Sequence, residues 1–299
     1  MTAPDPRACH ASPVARIAII GGGSIGEALL AGLLQAGRQA KDLAVSEKDP
    51  ARAKKLSDKY SVLLTSVADA AENAAYVVVA VKPGDVAGIV EQIAEAVGRA
   101  DNGSTEQVIV SVVAGVGTGY YESQLPAGAP VVRVMPNTPM LVGVGISAVA
   151  AGTFATEEQV AEVAEIFGSV GEVERVPESQ IDAVTAVSGS GPAYFFLMAE
   201  ALVDAGVANG LPRSVATKLA AQTMLGSAAM LLDRIDAGAK AGDGAIDASA
   251  TVLRAMVTSP GGTTAAGLRE LEAGGLRAAV ANAVSAAKTR SEQLGITSE

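Results

Sequence analysis

The feature that most constrains this chain is a glycine string set between two different periodicities. Arg16 to Ile20 is a short run dominated by apolar residues, the pattern of a strand buried on both faces. Gly21-Gly-Gly-Ser-Ile-Gly26 follows at once. A helical pattern then runs from Glu27 to Ala36 until Gly37 stops it. The string fits G-x-G-x-x-G, and the strand before it and helix after it are the context that gives the motif meaning. The first glycine permits a tight turn, the second lets backbone approach a pyrophosphate, and the third lets helix pack on strand. Unpaired N–H groups at the helix start attract the anion. Gly21, Gly23, Ser24, Ile25 and Gly26 are therefore candidate cofactor-binding residues.

The alternation continues down the chain. Strands are expected at Leu43 to Ser46, Val62 to Leu64, Tyr76 to Val81, Val108 to Val113, Val131 to Met135, Ile146 to Ala150 and Val173 to Val176. Helices are expected at Pro50 to Tyr60, capped by Asp49, at Asp85 to Val97 and at Glu157 to Phe167. Strands separated by helices imply an α/β domain with a doubly wound, Rossmann-type parallel sheet over 16–176. From Pro177 onward no strand is expected, and 177–299 reads as all-helical. Its helical patterns are Ser179 to Val187, Tyr194 to Ala208, Pro212 to Ile235, Ala245 to Val257, Ala265 to Glu272 and Leu276 to Leu294. Asp236 to Gly244 is the most loop-like segment.

Strand ends at the carboxyl edge of such a sheet line the cofactor crevice. That places Ser46 and Glu47, then Ala80-Val81-Lys82-Pro83, then Ala114 and Gly115, then Asn137, at candidate cofactor positions. Glu47 follows Gly26 by about twenty residues, where an acid bonds the ribose 2′-hydroxyl and disfavours a 2′-phosphate. Ser46, Lys48 and Arg52 could instead accept that phosphate, so both NADH and NADPH stay open.

Composition excludes several function classes. The net charge is −10, with no basic stripe to neutralise phosphates, so no nucleic-acid partner is expected. No apolar run approaches the roughly 18 residues of a membrane helix, so no membrane partner is expected either. Residues 1–15 read as a disordered, solvated tail without the apolar core of a signal peptide. The single Cys (Cys9) and the single His (His10) both lie in that tail. The expectation is a cytoplasmic protein without disulfides. A body without His or Cys cannot run a Ser-His-Asp or Cys-His mechanism, nor ligate zinc through those residues, so no metal is expected.

Two further glycine-rich loops open helices in the second half, Ser188 to Ala193 with Ser190, and Ser259 to Thr264. The second has hydroxyls beside glycines that allow close approach by a ligand. Reducing a ketone creates an alkoxide and needs a proton donor such as His, Lys or a Tyr-x-x-x-Lys pair. The tyrosines here are not followed by Lys four residues on; Tyr194 is followed by Met198. An imine nitrogen is basic enough for a hydroxyl partner to suffice. A carboxylate beside that imine would suit the Gly262 and Thr263 amides, with Thr264 reaching the nitrogen. Ser190, Ser259, Gly261, Gly262, Thr263 and Thr264 are the candidate substrate-binding residues, and Thr264 the candidate catalytic one.

Taken together these stretches resemble the pyrroline-5-carboxylate reductase family. The resemblance covers Arg16 to Leu294. It rests on Ile20-Gly-Gly-Gly-Ser-Ile-Gly26, Ala80-Val-Lys-Pro83, Ala114-Gly-Val116, Met135-Pro-Asn-Thr-Pro139, Val187-Ser-Gly-Ser-Gly-Pro-Ala-Tyr194, Ser259-Pro-Gly-Gly-Thr-Thr264 and Glu272-Ala-Gly-Gly-Leu-Arg277, in the family's order. It implies reduction of 1-pyrroline-5-carboxylate to L-proline with NADPH or NADH. It implies that Thr264 hydrogen-bonds the imine nitrogen and that the 259–264 loop holds the carboxylate. It also implies a helical dimerisation domain, interlocked homodimers assembling to a decamer, and substrate and cofactor loops from different subunits. Glu47 departs from the small polar residue often found there. A related β-hydroxy-acid dehydrogenase would need a Lys in the helix after the 188–193 loop, and none is suitably placed. A non-catalytic dinucleotide sensor would leave 259–264 unexplained.

Overall fold

The computed structural model of the chain describes residues 16–99, 107–241 and 249–295. The tail expected over 1–15, with Cys9 and His10, lies outside the described residues. The chain divides into two compact units, Met1–Ser190 together with Ala286–Glu299, and Gly191–Ser285.

The first unit contains β1 (Ile17–Ile20), α1 (Ser24–Gln35), β2 (Leu43–Ser46), α2 (Pro50–Tyr60), β3 (Leu63–Leu64), α3 (Val67–Asn73), β4 (Tyr76–Val79), α4 (Val86–Arg99), β5 (Val108–Ser111), α5 (Thr118–Gln124), β6 (Val131–Met135), β7 (Gly145–Ala151), α6 (Glu157–Gly168), β8 (Gly171–Arg175) and α7 (Ile181–Val184). Its strands form one eight-stranded sheet in the order β3-β2-β1-β4-β5-β6-β7-β8. The order reverses direction between β1 and β4, the position where doubly wound sheets open a crevice for dinucleotides.

Side-chain alternation explains why β1 reads as continuously apolar. Ile17 and Ile19 join a cluster with Leu29, Leu30 and Leu33 of α1 and Phe167 of α6. Ala18 and Ile20 point to the other face and join Val86, Val90 and Ile93 of α4. A strand covered by helices on both faces has no solvated side to carry polar residues.

The sheet is parallel over β3-β2-β1-β4-β5-β6, as expected, but β7 and β8 run in the opposite direction. β7 pairs antiparallel with β6, Met135 opposite Ala148, while the other pairs are parallel. The connection between them is residues 136–144, shorter than the dozen or so residues a parallel crossover requires. The chain therefore turns back, and α6 supplies the crossover that makes β8 parallel to β7.

Two short helices, α3 and α5, were not anticipated. Each has seven residues, too few for a helical period to show above noise. Ser66 caps α3 through the Asp69 N–H. The expected cap of α2 is present: the Asp49 carboxylate accepts from the Ala51 and Arg52 amides at its start.

The second unit contains α8 (Gly191–Ala208), α9 (Arg213–Ala241), α10 (Ser249–Met256), α11 (Thr263–Ala273) and most of α12 (Leu276–Leu294), whose turns from Ala286 onward belong to the first unit. α8 and α9 form a helical hairpin whose buried contact is Val203 against Ala216 and Ala220. The loop expected from Asp236 is helical as far as Ala241, because its alanines favour helix; 242–248 lie outside the described residues. No continuous apolar run of membrane length exists. Glu178–Ala208 and Arg213–Gly238 nevertheless reach a mean hydropathy of 1.2 over such a length, and little of either stretch is buried within one copy.

Candidate active site

The glycine loop is held by backbone on both sides. Gly21 donates its N–H to Ser46 O at 2.8 Å, and Ala80 donates to Ile20 O at 2.8 Å. Gly21 has φ +105°, and a Cβ there would lie 2.4 Å from Ala80 O. A Cβ on Gly26 would lie 2.0 Å from Gly21 O, so the third glycine lets α1 seat against the loop. Around Gly23 there is open space, and its side of the loop has no side-chain cap. α1 begins at Ser24 rather than at Glu27. The Ser24, Ile25 and Gly26 amides thus form the first helical turn, and the first backbone acceptance is Gly23 O from Glu27 N–H at 2.8 Å. That is an anion-binding helix start.

The structure brings Ser46, Glu47 and Ala80 directly against this loop. Glu47 is turned inward, its side chain only 4% exposed. Its Oε2 accepts from the Gly22 N–H at 2.8 Å and from Arg52 Nη1 at 3.3 Å. Its Oε1 accepts from the Asp49 N–H at 2.8 Å. Lys48 is held by both carboxylate oxygens of Asp85, at 2.8 and 2.7 Å. β4 stops at Val79, so Ala80 and Val81 leave the sheet before Pro83 opens a single 3-10 turn, and Lys82 is exposed.

Ala114 and Gly115 follow the end of β5. Gly115 is buried with φ +77°, and a Cβ there would meet Leu294 O at 2.9 Å. The end of α12 therefore closes over that loop, where Ser291 Oγ also donates to Asp182 Oδ1 at 2.6 Å.

Asn137 does not present a free amide. Its Oδ1 accepts from the Ile146 N–H at 2.9 Å, and its Nδ2 donates to Ser188 O at 3.2 Å. Ser188 belongs to a π-helical turn, Thr185–Gly189, a distortion often found at functional sites. Asn137 thereby ties the turn before Ser190 to the end of β6. The Ser190 N–H donates to Thr185 O at 2.8 Å, closing that turn.

A partly buried polar cluster in the first unit gave no signal in the sequence. Glu178 accepts from the Thr118 N–H at 2.6 Å, from the Thr118 hydroxyl, and from Arg133 Nη1 at 3.4 Å. Ser111 Oγ donates to the Tyr121 hydroxyl at 2.8 Å. Burial pushes the Tyr121 phenol up to about 12, against the opposing pull of Ser111 and of the Arg133 charge. These partners lie up to 60 residues apart, beyond any local pattern.

In the second unit, Ser259 to Gly262 make a tight turn. Gly261 has φ +71°, and the Gly262 N–H donates to Ser259 O at 3.0 Å. That amide, expected to face a carboxylate, is thus committed within the turn. α11 starts at Thr263, two residues before the expected Ala265, with Gly262 as a cap that offers no side chain. The Thr263, Thr264 and Ala265 amides make up its first turn, and the first return bond is Ala266 N–H to Gly262 O at 3.1 Å. Glu272 at the far end of α11 bonds Arg277 Nε at 2.9 Å and lies 3.7 Å from Arg254 Nη1 of α10. The Arg277 hydrogen bond holds the Glu272 carboxyl below its ordinary range. This triad braces the two helices that flank the turn.

Comparison with known proteins decides the family. A family model described as pyrroline-5-carboxylate reductase dimerisation matches residues 178–294. A second, described as NADP oxidoreductase coenzyme F420-dependent, matches 16–115. A pyrroline-5-carboxylate reductase of Mycobacterium tuberculosis is 63% identical over 291 residues, covering 96% of this chain and 99% of its own. The chain belongs to the pyrroline-5-carboxylate reductase family. Among solved structures, the pyrroline-5-carboxylate reductase of Coxiella burnetii has a TM-score of 0.84 at 33% identity, over 95% of this chain and 100% of that one. The Plasmodium falciparum pyrroline carboxylate reductase, solved with NADP bound, has a TM-score of 0.79 at 29% identity, over 95% and 99%. For a pyrroline-5-carboxylate reductase the two glycine-rich helix starts divide cleanly: Gly21–Gly26 lies in the oxidoreductase match, and Ser259–Thr264 in the dimerisation match.

Proposed function

We infer that this chain reduces 1-pyrroline-5-carboxylate to L-proline with NAD(P)H. The observation that carries the reading is its 63% identity, over 96% of its length, to a reductase of that name. The glycine cradle fits a dinucleotide: Gly23 borders open space, and the α1 start offers the Ser24, Ile25 and Gly26 amides to a pyrophosphate. Gly21, Ser46, Glu47, Ala80, Val81, Lys82 and Pro83 would form the walls of that cradle, with Ala114 and Gly115 one strand further along. Asn137 would serve it by fixing the neighbouring turn. When bound, the dinucleotide supplies the hydride.

The chain's own residues bind and orient the imino acid. The Thr263, Thr264 and Ala265 amides at the α11 start would hold its carboxylate, within the turn shaped by Ser259, Gly261 and Gly262. A helix start contributes roughly 0.3–1 kcal/mol to an exposed carboxylate and about 2 to a partly buried one, so orientation must supply more of the rate. The Thr264 hydroxyl would hydrogen-bond the ring nitrogen, and Ser190 would be a further substrate contact. We assign dinucleotide binding to 16–176 and substrate binding and dimerisation to 177–299; the oxidoreductase match over 16–115 lies inside the first and the dimerisation match over 178–294 inside the second. A homodimer, supported by the dimerisation match, completes the proposal, with its assembly to a decamer implied by the resemblance and a cytoplasmic location by the composition.

The test is NADH and NADPH oxidation with 1-pyrroline-5-carboxylate, against a panel of β-hydroxy acids assayed in the oxidative direction. Turnover of the imine alone is expected, and its absence sinks the reading. Thr264→Ala should lower kcat by roughly tenfold to a hundredfold with dinucleotide Kd unchanged. Unaltered kcat removes Thr264 from the mechanism.

A further inference from the structure

We propose that Glu47 makes this chain an NADH-preferring reductase, because its inward-turned carboxylate leaves room for a ribose hydroxyl and none for a phosphate. The proposal rests on the dinucleotide-dependent reading above.

Hydrogen-bond capacity gives the first argument. An ionised carboxylate has about four acceptor positions, two on each oxygen. On Glu47, Oε2 already accepts from Gly22 N–H and Arg52 Nη1, while Oε1 accepts only from Asp49 N–H. One acceptor position remains, on Oε1. A 2′-hydroxyl can donate to it; a 2′-phosphate dianion, rich in acceptors, cannot. The carboxylate also cannot swing away without cost, because Gly22 and Asp49 would lose their partner and the side chain is almost fully buried.

Charge gives the second. The two cations that flank Glu47 along the chain, Lys48 and Arg52, are both paired with carboxylates. Arg52 pairs with Glu47 at 3.3 Å and lies 3.9 Å from Asp49. Lys48 is gripped by Asp85 at 2.7 Å. Three carboxylates thus surround two cations at the end of β2, and a dianion placed there meets net negative charge. Repulsion by a buried carboxylate is weakly screened by salt.

The experiment titrates the full chain with NADH and with NADPH, reading Kd by calorimetry, and measures imine turnover on the same samples. NADH should bind at least about tenfold more tightly than NADPH. Glu47→Gln should move the ratio toward NADPH by roughly tenfold. Arg52→Ala in the otherwise native chain should not move the ratio toward NADPH, because it removes a cation and leaves the Glu47 carboxylate in place. The same change combined with Glu47→Gln should remove most of the gain, because the freed guanidinium is what meets the phosphate. NADPH binding as tightly as NADH overturns the proposal. So does a Glu47→Gln chain that loses both affinities equally, which would make Glu47 only a brace of the glycine loop. Preferential NADH binding without imine turnover leaves this inference standing and overturns the proposed function; turnover with equal affinities does the reverse.

Discussion

At the scale of single residues, the buried Ser111–Tyr121 pair has consequences for pH. Tyr121 is fully enclosed, and its neutral phenol accepts the Ser111 hydroxyl at 2.8 Å. Its folded-state value, about 12, lies above the ordinary 10, so the folded chain keeps a proton that the unfolded chain releases. The stabilisation from this group is complete below pH 10 and is lost as pH rises through 12. Across that window it amounts to roughly 2–3 kcal/mol. Tyr121→Phe should flatten that segment of the stability-against-pH curve while costing about 1 kcal/mol at neutral pH through the lost hydrogen bond. Chemical denaturation of both chains at a series of pH values measures the difference. Parallel curves from neutral pH to 12 would show that the phenol is not shielded. Sequence reasoning had no access to this pair, or to Glu178 joining Thr118 to Arg133, because such partners meet only after the sheet has formed. Glu47 was legible as a residue type at the right spacing. Its direction was not, since only the fold shows that it faces the Gly22 amide.

At the scale of elements, two glycines in helices should respond oppositely to the same change. Gly26 in α1 would bring a Cβ to 2.0 Å from the Gly21 carbonyl, and neither backbone can yield without unseating the helix. Gly26→Ala should therefore cost about 1–3 kcal/mol and abolish dinucleotide binding. Gly88 in α4 has open space around its Cβ position, so Gly88→Ala should stabilise by roughly 0.5–1 kcal/mol through helix propensity alone. Thermal melts and a dinucleotide titration of both variants check the contrast. A Gly26→Ala chain that binds normally would remove close packing as the reason for that glycine. The same physics decided which elements could be read in advance. β2, β6, α2 and α12 fall within their expected limits, because each is long, strongly apolar or clearly capped. α3 and α5 escaped because seven residues carry too little periodicity. The reversal of β7 and β8 escaped because strand direction depends on connection length rather than on composition. The helix starts at Ser24 and Thr263 came earlier than expected, since glycine-rich loops hide their last residues inside the first turn.

At the scale of the whole molecule, the second unit is incomplete as a single copy. Phe195, Phe196 and Leu197 of α8 are 62%, 68% and 67% exposed. Leu219, Leu225 and Leu232 of α9 are also exposed, while the hairpin's buried cluster is Val203, Ala216 and Ala220. So little burial does not offset the conformational entropy of long helices. The apolar composition that brings two of these stretches to membrane-like hydropathy has a simpler outlet in a second copy, because the dimerisation match covers 178–294. If folding and association are one event, thermal stability must depend on protein concentration. Each tenfold increase in concentration adds roughly 1.4 kcal/mol to the dimer, a shift of a few degrees in Tm. Phe196→Glu places a charge on the exposed face without disturbing the buried cluster. It should yield a smaller species in sedimentation velocity, a lower Tm and a melting curve that no longer shifts with concentration. A native chain that sediments as a monomer at all concentrations, with constant Tm, would show that the exposed face of α8 needs no partner.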